Sequence, residues 1–327
     1  MNKRDKRIDA IKGFLIILVV LGHLLGNDDL DVASKCCKSF IYTFHMPLFV
    51  LVSGYLTTIK NDISVFWRGI LNILVPLCVF QSVNIICIII IGGKIGIDML
   101  FIPYWTLWYL LSLIFWRIMF QFSPNSLLKN MHLYILITLI VAVFSGLLPN
   151  GRILSIQRTL NFYPFFLCGY YMNQKGMIQL VISKYKPFVV TSSVFIGGGI
   201  LALILLNLYP IDNMLLLRGA DHYGFSLFPA KIYLLTCSFL LSIIFCNLFY
   251  LILNNCKVLS VVGRDSLFFY LYHGIIIKFA IKPIISHFGL PQSLPFMMLY
   301  CLIIIVMLYL MSKVKLFRWI ANPFKRV

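Results

Sequence analysis

The sequence predicts an all-α, polytopic membrane helix bundle of about ten transmembrane helices, with the N-terminus and C-terminus in the cytoplasm. Three observations predict it. Only 12% of the residues are charged and the mean hydropathy is +0.95, whereas a soluble domain carries about a quarter charged residues. Apolar runs near the ~20 residues that a spanning helix needs recur along the whole chain. Lys and Arg collect in alternate connections, which is the asymmetry that orients membrane helices. A core of soluble-protein size cannot hide this much apolar side chain in 327 residues, but a bilayer can.

Reading the apolar runs against polar breaks places the spans at 10–26, 40–59, 70–92, 102–121, 132–148, 160–173, 187–208, 228–252, 266–281 and 294–312. The first run follows a basic N-terminus and leads into Gly26-Asn27-Asp28-Asp29 without a small-x-small cleavage site. It therefore reads as a retained helix and not a signal peptide. The sixth is short, and the ninth carries Lys278 near its end. The connections are short, the longest running from about Pro210 to Ser226, and none holds a soluble domain. Residues 1–327 read as a single integral membrane domain.

The net charge is +18, with ten Asp and no Glu. With the N-terminus inside and the spans alternating, 19 of the 28 Lys and Arg fall inside. The other nine (Lys35, Lys38, Lys94, Arg152, Arg158, Arg218, Lys231, Lys278 and Lys282) fall outside, where six of the ten Asp also lie. The basic excess is thus topogenic and gives no case for nucleic-acid binding. The nine Cys sit mostly in apolar stretches (Cys78, Cys87, Cys168, Cys237, Cys246, Cys301), as buried inert thiols do. No spacing resembles a metal site, and nothing signals an oligomeric state.

Ionisable groups away from the interface are costly in a membrane and mark functional candidates. In the first helix, Asp9, Lys12 and His23 share one face. Lys12 and His23 are eleven residues apart, which is nearly the same angle and about 16 Å along the axis. The stripe is readable as interface charges with a packed histidine, or as an array that carries chemistry. His45 precedes Met46-Pro47, where the backbone is biased away from helix, and reads as a histidine near a helix entry. Ser53-Gly54-Tyr55 follows in the same helix. Arg68 opens the third helix; it is either a positive-inside anchor or a phosphate ligand. Trp105, Trp108, Tyr104 and Tyr109 read first as an aromatic belt and second as a binding wall. His273, in Tyr270-Leu271-Tyr272-His273, is a second deep histidine, whereas His132, His222 and His287 read as solvated.

In this order, the segments resemble the acyltransferase-3 family of integral membrane acyltransferases, on its fucose 4-O-acetylase-like and polysaccharide O-acetyltransferase branch. The matching stretches are Asp9-Ala10-Ile11-Lys12-Gly13 with Gly22-His23, Phe44-His45-Met46-Pro47-Leu48-Phe49 with Ser53-Gly54-Tyr55, Trp108-Tyr109-Leu110, Pro164-Phe165-Phe166-Leu167-Cys168-Gly169-Tyr170-Tyr171, and Ser266-Leu267 with Tyr270 and His273. The resemblance implies an O-acetyltransferase of the bacterial inner (cytoplasmic) membrane. Its donor is cytoplasmic acetyl-CoA, its acceptor is a sugar hydroxyl of a cell-surface polysaccharide or glycoconjugate, and no metal takes part. It implies His23 and His45 as catalytic groups, with His23 a general base or a transient acyl acceptor. Lys12, Arg68, Asp9 and Ser53 are implied around the donor, and Trp108, Tyr109 and His273 around the acceptor. Many members carry Arg where this chain has Lys12, and often a second arginine after the one at Arg68, where Leu71 and Asn72 stand here. The soluble SGNH-type domain fused to some relatives has no counterpart in these residues. The rival class is a transporter or flippase for a lipid-linked sugar or small polar solute, which would more often show an internal repeat or paired broken helices.

Overall fold

The computed structural model describes residues 4–26, 31–205, 224–253 and 256–322. Most of the expected loop from Pro210 to Ser226, with Arg218 and His222, lies outside the described residues, as do Asn27, Asp28, Asp29, Lys3, Lys325 and Arg326. The described residues are predominantly helical, with no strand among them. The helices are α1 (Lys6–Leu24), α2 (Val32–Tyr55), α3 (Ile63–Ile90), α4 (Trp108–Gln121), α5 (Asn125–Lys129), α6 (Met131–Phe144), α7 (Ile156–Gln174), α8 (Met177–Leu205), α9 (Phe228–Ile252), α10 (Lys257–Arg264), α11 (Ser266–Ile276), α12 (Lys282–His287), α13 (Leu294–Met311) and α14 (Lys315–Ala321). A π-helical turn, Ile277–Ile281, joins α11 to α12.

Each of the ten expected segments falls on a helix. Six helical stretches among the described residues are long and apolar enough to cross a bilayer: Val32–Tyr55, Ile63–Ile90, Lys184–Leu205, Phe225–Ile252, Ser266–His287 and Leu294–Met311. The other four segments fall short for two reasons. Helices α4 and α6 have only 14 residues each. Helix α1 carries Lys6, Arg7, Asp9 and Lys12, and α7 carries Gln157, Arg158, Thr159 and Asn161. Both are largely buried in protein. A helix wrapped by other helices need not be apolar all round, so its polar groups survive where a lipid-facing helix would not carry them. The outer helices show the complement, with Ile86, Ile89, Ile90, Leu302 and Leu310 all exposed.

The chain divides into two compact units. One comprises residues 1–49, 181–209 and 241–327, and the other residues 50–180 and 210–240. In the first, α1 packs against α10, α11 and α13. The α1–α10 crossing is a backbone contact. A Cβ on Gly13 would stand 2.0 Å from the Leu259 carbonyl oxygen, and one on Gly263 would stand 1.7 Å from that of Asp9. In the second unit, α7 packs against α4 and α6 and crosses the end of α2 in the same way. A Cβ on Gly54 would lie 1.9 Å from the Phe166 oxygen, and one on Gly169 would lie 1.8 Å from that of Leu51. Without an apolar driving force between helices in lipid, close contact of small residues supplies the association.

The second helix departs from expectation. It starts at Val32 and runs unbroken through Pro47, so His45 lies in its interior and is only 3% exposed. The stretch Val32-Ala33-Ser34-Lys35-Cys36-Cys37-Lys38-Ser39 looks like a connection because of its charges, yet it is helix extended beyond the apolar core. Several hydroxyls inside the helices bond back to the preceding turn, as Thr43 does to the Ser39 carbonyl at 2.9 Å, which pairs them without a partner helix.

The crossings yield a direct test. Gly263→Ala should destabilise the detergent-purified protein by about 2–3 kcal/mol, because two backbones must part. Gly198→Ala, whose Cβ meets nothing within 4 Å, should be neutral or slightly stabilising through helix propensity. Thermal unfolding of the two variants beside the parent decides it.

Candidate active site

Gly13 and Gly263 mark the close crossing of α1 and α10, and α11 follows α10 after a break at Asp265. Ten residues beyond Gly13 stands His23, and ten residues beyond Gly263 stands His273. The two imidazoles meet, with ring centroids 5.4 Å apart and planes inclined at 31°. His273 is fully buried. Its Nδ1 faces the carbonyl oxygens of Tyr270 at 2.7 Å and Phe269 at 3.2 Å. Carbonyls only accept, so Nδ1 carries the proton and Nε2 of the neutral ring is an acceptor. That Nε2 is buried and has no hydrogen-bond partner among the described residues, the kind of vacancy that a ligand group fills.

His45 approaches this pair through Tyr42. The Tyr42 hydroxyl donates to the Gly22 carbonyl at 3.2 Å, and its ring lies edge-on to His45 at 4.9 Å. A Cβ on Gly22 would meet the Tyr42 ring at 3.1 Å, which suits glycine at that position. His45 Nδ1 donates to the Ile41 carbonyl at 2.7 Å. Its neutral ring is therefore an acceptor at Nε2, and stabilising an oxyanion would require the imidazolium.

At the start of α1 the sequence-predicted Asp9 and Lys12 are ion-paired at 2.9 Å. Arg4 takes Asp9 through both Nε and Nη2, at 2.5 and 2.9 Å. With both oxygens engaged by cations, Asp9 orients Lys12 and is not itself a contact for an anion. Close by, Arg318 and Arg264 face Asp265 at 3.4 and 3.8 Å, and Arg4 Nη2 reaches the Arg264 carbonyl. Four cations thus surround two carboxylates, an excess of two positive charges (+4 − 2) at one end of this unit. Arg4, Arg264, Asp265 and Arg318 escape sequence reasoning, because charges beside a helix end read as topogenic.

The remaining candidates lie in the second unit. Ser53 and Tyr109 share a hydrogen bond of 2.5 Å that ties α2 to α4, so a role for Ser53 toward a ligand requires exchanging that bond. Tyr109 is buried at 5% exposure. Trp108 stacks on Phe162 at 5.4 Å and lies under the Arg158 guanidinium at 5.1 Å. Arg68 is exposed on the first turns of α3. His132 and His287 are exposed, as expected. No group of His, Cys or acidic side chains among the described residues is arranged to hold a metal.

Burial acts to raise the pKa of Asp9, but the hydrogen bonds from Arg4 and Lys12 outweigh it and hold the carboxyl below its ordinary value. A carboxyl depressed in the folded state stabilises above its unfolded pKa of about 3.9, and that contribution is lost as pH falls through the folded value. Asp9→Asn should therefore cost about 2 kcal/mol at neutral pH, less than a fully buried pair because Arg4 is half exposed. The gap to the parent should close below about pH 4, read from unfolding midpoints across pH.

Nodulation protein NolL of Mesorhizobium japonicum is 31% identical over 225 residues, covering 61% of this chain and 57% of that protein. Nodulation protein NolL of Sinorhizobium fredii is 53% identical over 62 residues, 17% of each. The chain spans less than two thirds of the length of either relative. No solved structure matches. A family model described as an acyltransferase domain matches residues 5–312, from the turn before α1 to the end of α13 and so across both histidine-bearing segments; the chain belongs to the acyltransferase-3 family of multi-pass membrane acyltransferases.

Proposed function

We propose that the protein moves an acetyl group from cytoplasmic acetyl-CoA to a sugar hydroxyl of a cell-surface polysaccharide or glycoconjugate. It does so in the bacterial inner membrane, as about ten spans with both termini in the cytoplasm. The observation that carries this reading is the His23–His273 contact at the far end of the α1 stripe, with an orphaned acceptor nitrogen on the buried His273.

His23 takes the proton of the acceptor hydroxyl as its oxygen attacks the thioester carbonyl. The tetrahedral intermediate collapses with cleavage of the carbon–sulfur bond, and the His23 imidazolium returns the proton to the departing thiolate. His273 Nε2 accepts a hydrogen bond from the incoming hydroxyl or from protonated His23. In the second case it favours the charged form of His23 during transfer. His45, the second histidine that the family resemblance implies as catalytic, is tied to the pair through Tyr42. The cation excess around Lys12 and Arg4 matches the phosphates of CoA, which need cationic partners on the cytoplasmic side. The family resemblance also implies Arg68 around the donor and Trp108 and Tyr109 around the acceptor; all three lie in the second unit.

His23→Gln should lower acetyl transfer by about 10³-fold while CoA binding and thermal stability stay at parental levels. His273→Gln should lower kcat about tenfold with little change in KM for the donor. Radiolabelled acetyl transfer in membranes of a deletion strain, with mass spectrometry of its surface glycans, reads both. Substantial activity in His23→Gln would remove His23 from the chemistry. A parent protein that moves a sugar without acetylating it would replace the enzyme by a flippase.

A further inference from the structure

The second unit contains a cavity of about 200 Å³ that the proposed chemistry leaves unused. It lies between the segment after α2, the first turns of α3 and the last turns of α4. Its polar walls are Thr57, Thr58, Lys60, Arg117 and Gln121, and Phe66, Ile70 and Phe120 are among its apolar ones. A water takes about 30 Å³ of liquid, so there is room for several waters or for a compact polyatomic anion.

The electrostatics of the cavity are one-sided. Two cations line it and no acid does. Arg117 Nε is buried without a hydrogen-bond partner among the described residues, and no carboxylate there pairs with it. A guanidinium has five N–H donors and no acceptor capacity, and a buried donor left unpaired is a standing cost. Gln121 does not relieve it, because its amide is spent on the chain that bears Lys60. Its Oε1 accepts from the Lys60 N–H at 3.0 Å, and its Nε2 donates to the Lys60 carbonyl at 2.9 Å. That reciprocal clamp fixes the Lys60 backbone against the end of α4. The arrangement holds two positive groups around a space and supplies nothing negative to fill it.

We infer that this cavity binds a phosphate group, held by Arg117 and Lys60. Arg suits a phosphate because its planar fork gives two parallel charge-assisted bonds. The phosphate has two sources with the same chemistry, the donor CoA or the headgroup of an anionic phospholipid. The first source rests on the acetyl-CoA reading above; the site itself does not.

Two variants test the site by different physics. Arg117→Gln removes the charge. Gly69→Leu fills the space without touching the charges, since Gly69 lines the cavity and a Cβ there meets nothing within 4 Å; as a glycine replaced within a helix it should not weaken the fold. Lys129→Gln, an exposed residue of α5 outside the cavity, controls for simple loss of charge. For the full-length protein in detergent, the dissociation constant for CoA is measured by calorimetry and retention of phosphatidylglycerol by native mass spectrometry. Arg117→Gln and Gly69→Leu should each weaken one of the two ligands about ten- to hundredfold, with Lys129→Gln unchanged. Loss of CoA affinity identifies the donor as the source. Loss of phosphatidylglycerol with CoA affinity intact identifies the lipid. If the parent binds no CoA while phosphatidylglycerol retention depends on Arg117, the phosphate site stands and the CoA reading falls. If Gly69→Leu and any folded Arg117→Gln protein keep parental affinity for both ligands, or the parent binds neither, the site is refuted.

Discussion

The contact on which the first unit depends is the backbone crossing of α1 and α10 at Gly13 and Gly263. Two helices that touch through their main chains have no side-chain layer to slip along, so their register is fixed at that point. The unit's candidate site residues lie on either side of this crossing. Toward one end it brings Asp9, Lys12 and Arg4 beside Arg264 and Asp265. Toward the other, equal ten-residue intervals deliver His23 and His273 to the same depth. A shift of one residue along α1 would turn His23 by about 100° away from His273. The charged rim and the His23–His273 pair lie on either side of that one crossing.

This also explains why α1 is the least conventional of the apolar segments. A helix facing lipid would lose several kcal/mol for each exposed charge. Helix α1 keeps an acid and a lysine near its start because protein covers it and because each Asp9 oxygen is met by a cation. Helix α7 repeats the solution in the second unit with neutral groups. Gln157, Thr159 and Asn161 are buried there, Asn161 accepts from the buried Lys231, and Thr159 donates to Ser112 at 2.9 Å. In both units the helix that looks too polar to span is the one that a glycine crossing draws inward.

The sequence carried the helices well, because apolar length is a local property and the bilayer enforces it. It also carried the Asp9–Lys12–His23 stripe, since a single helix fixes that spacing. It could not place His45, because Lys35 and Lys38 disguised helical turns as a loop and Pro47 promised a break that the helix absorbs. It could not show that Ser53 and Tyr109 bond to each other, since no local rule pairs residues 56 apart. Arg117 was invisible for a different reason. An arginine near a cytoplasmic helix end reads as a topological anchor in any membrane protein, and only the cavity beside it distinguishes it from one. The glycine-to-histidine interval, repeated at Gly13–His23 and Gly263–His273, was present in the sequence, but its meaning appears only when the two glycines are seen to touch.

The tautomers constrain what chemistry these histidines can share. His45 and His273 both spend Nδ1–H on backbone carbonyls of their own helices. Each neutral ring then presents an acceptor and no donor at Nε2. An anionic tetrahedral intermediate needs donors, so two neutral acceptors cannot form its oxyanion hole. They suit a hydroxyl, which arrives with a proton to give. In the proposed reaction the stabilising charge would come from the imidazolium that proton transfer forms on His23, 5.4 Å from His273. In the proposed reaction the carbonyls that hold Nδ1–H of His273 would keep its Nε2 a receiver, so the proton would come from the acceptor hydroxyl or from protonated His23.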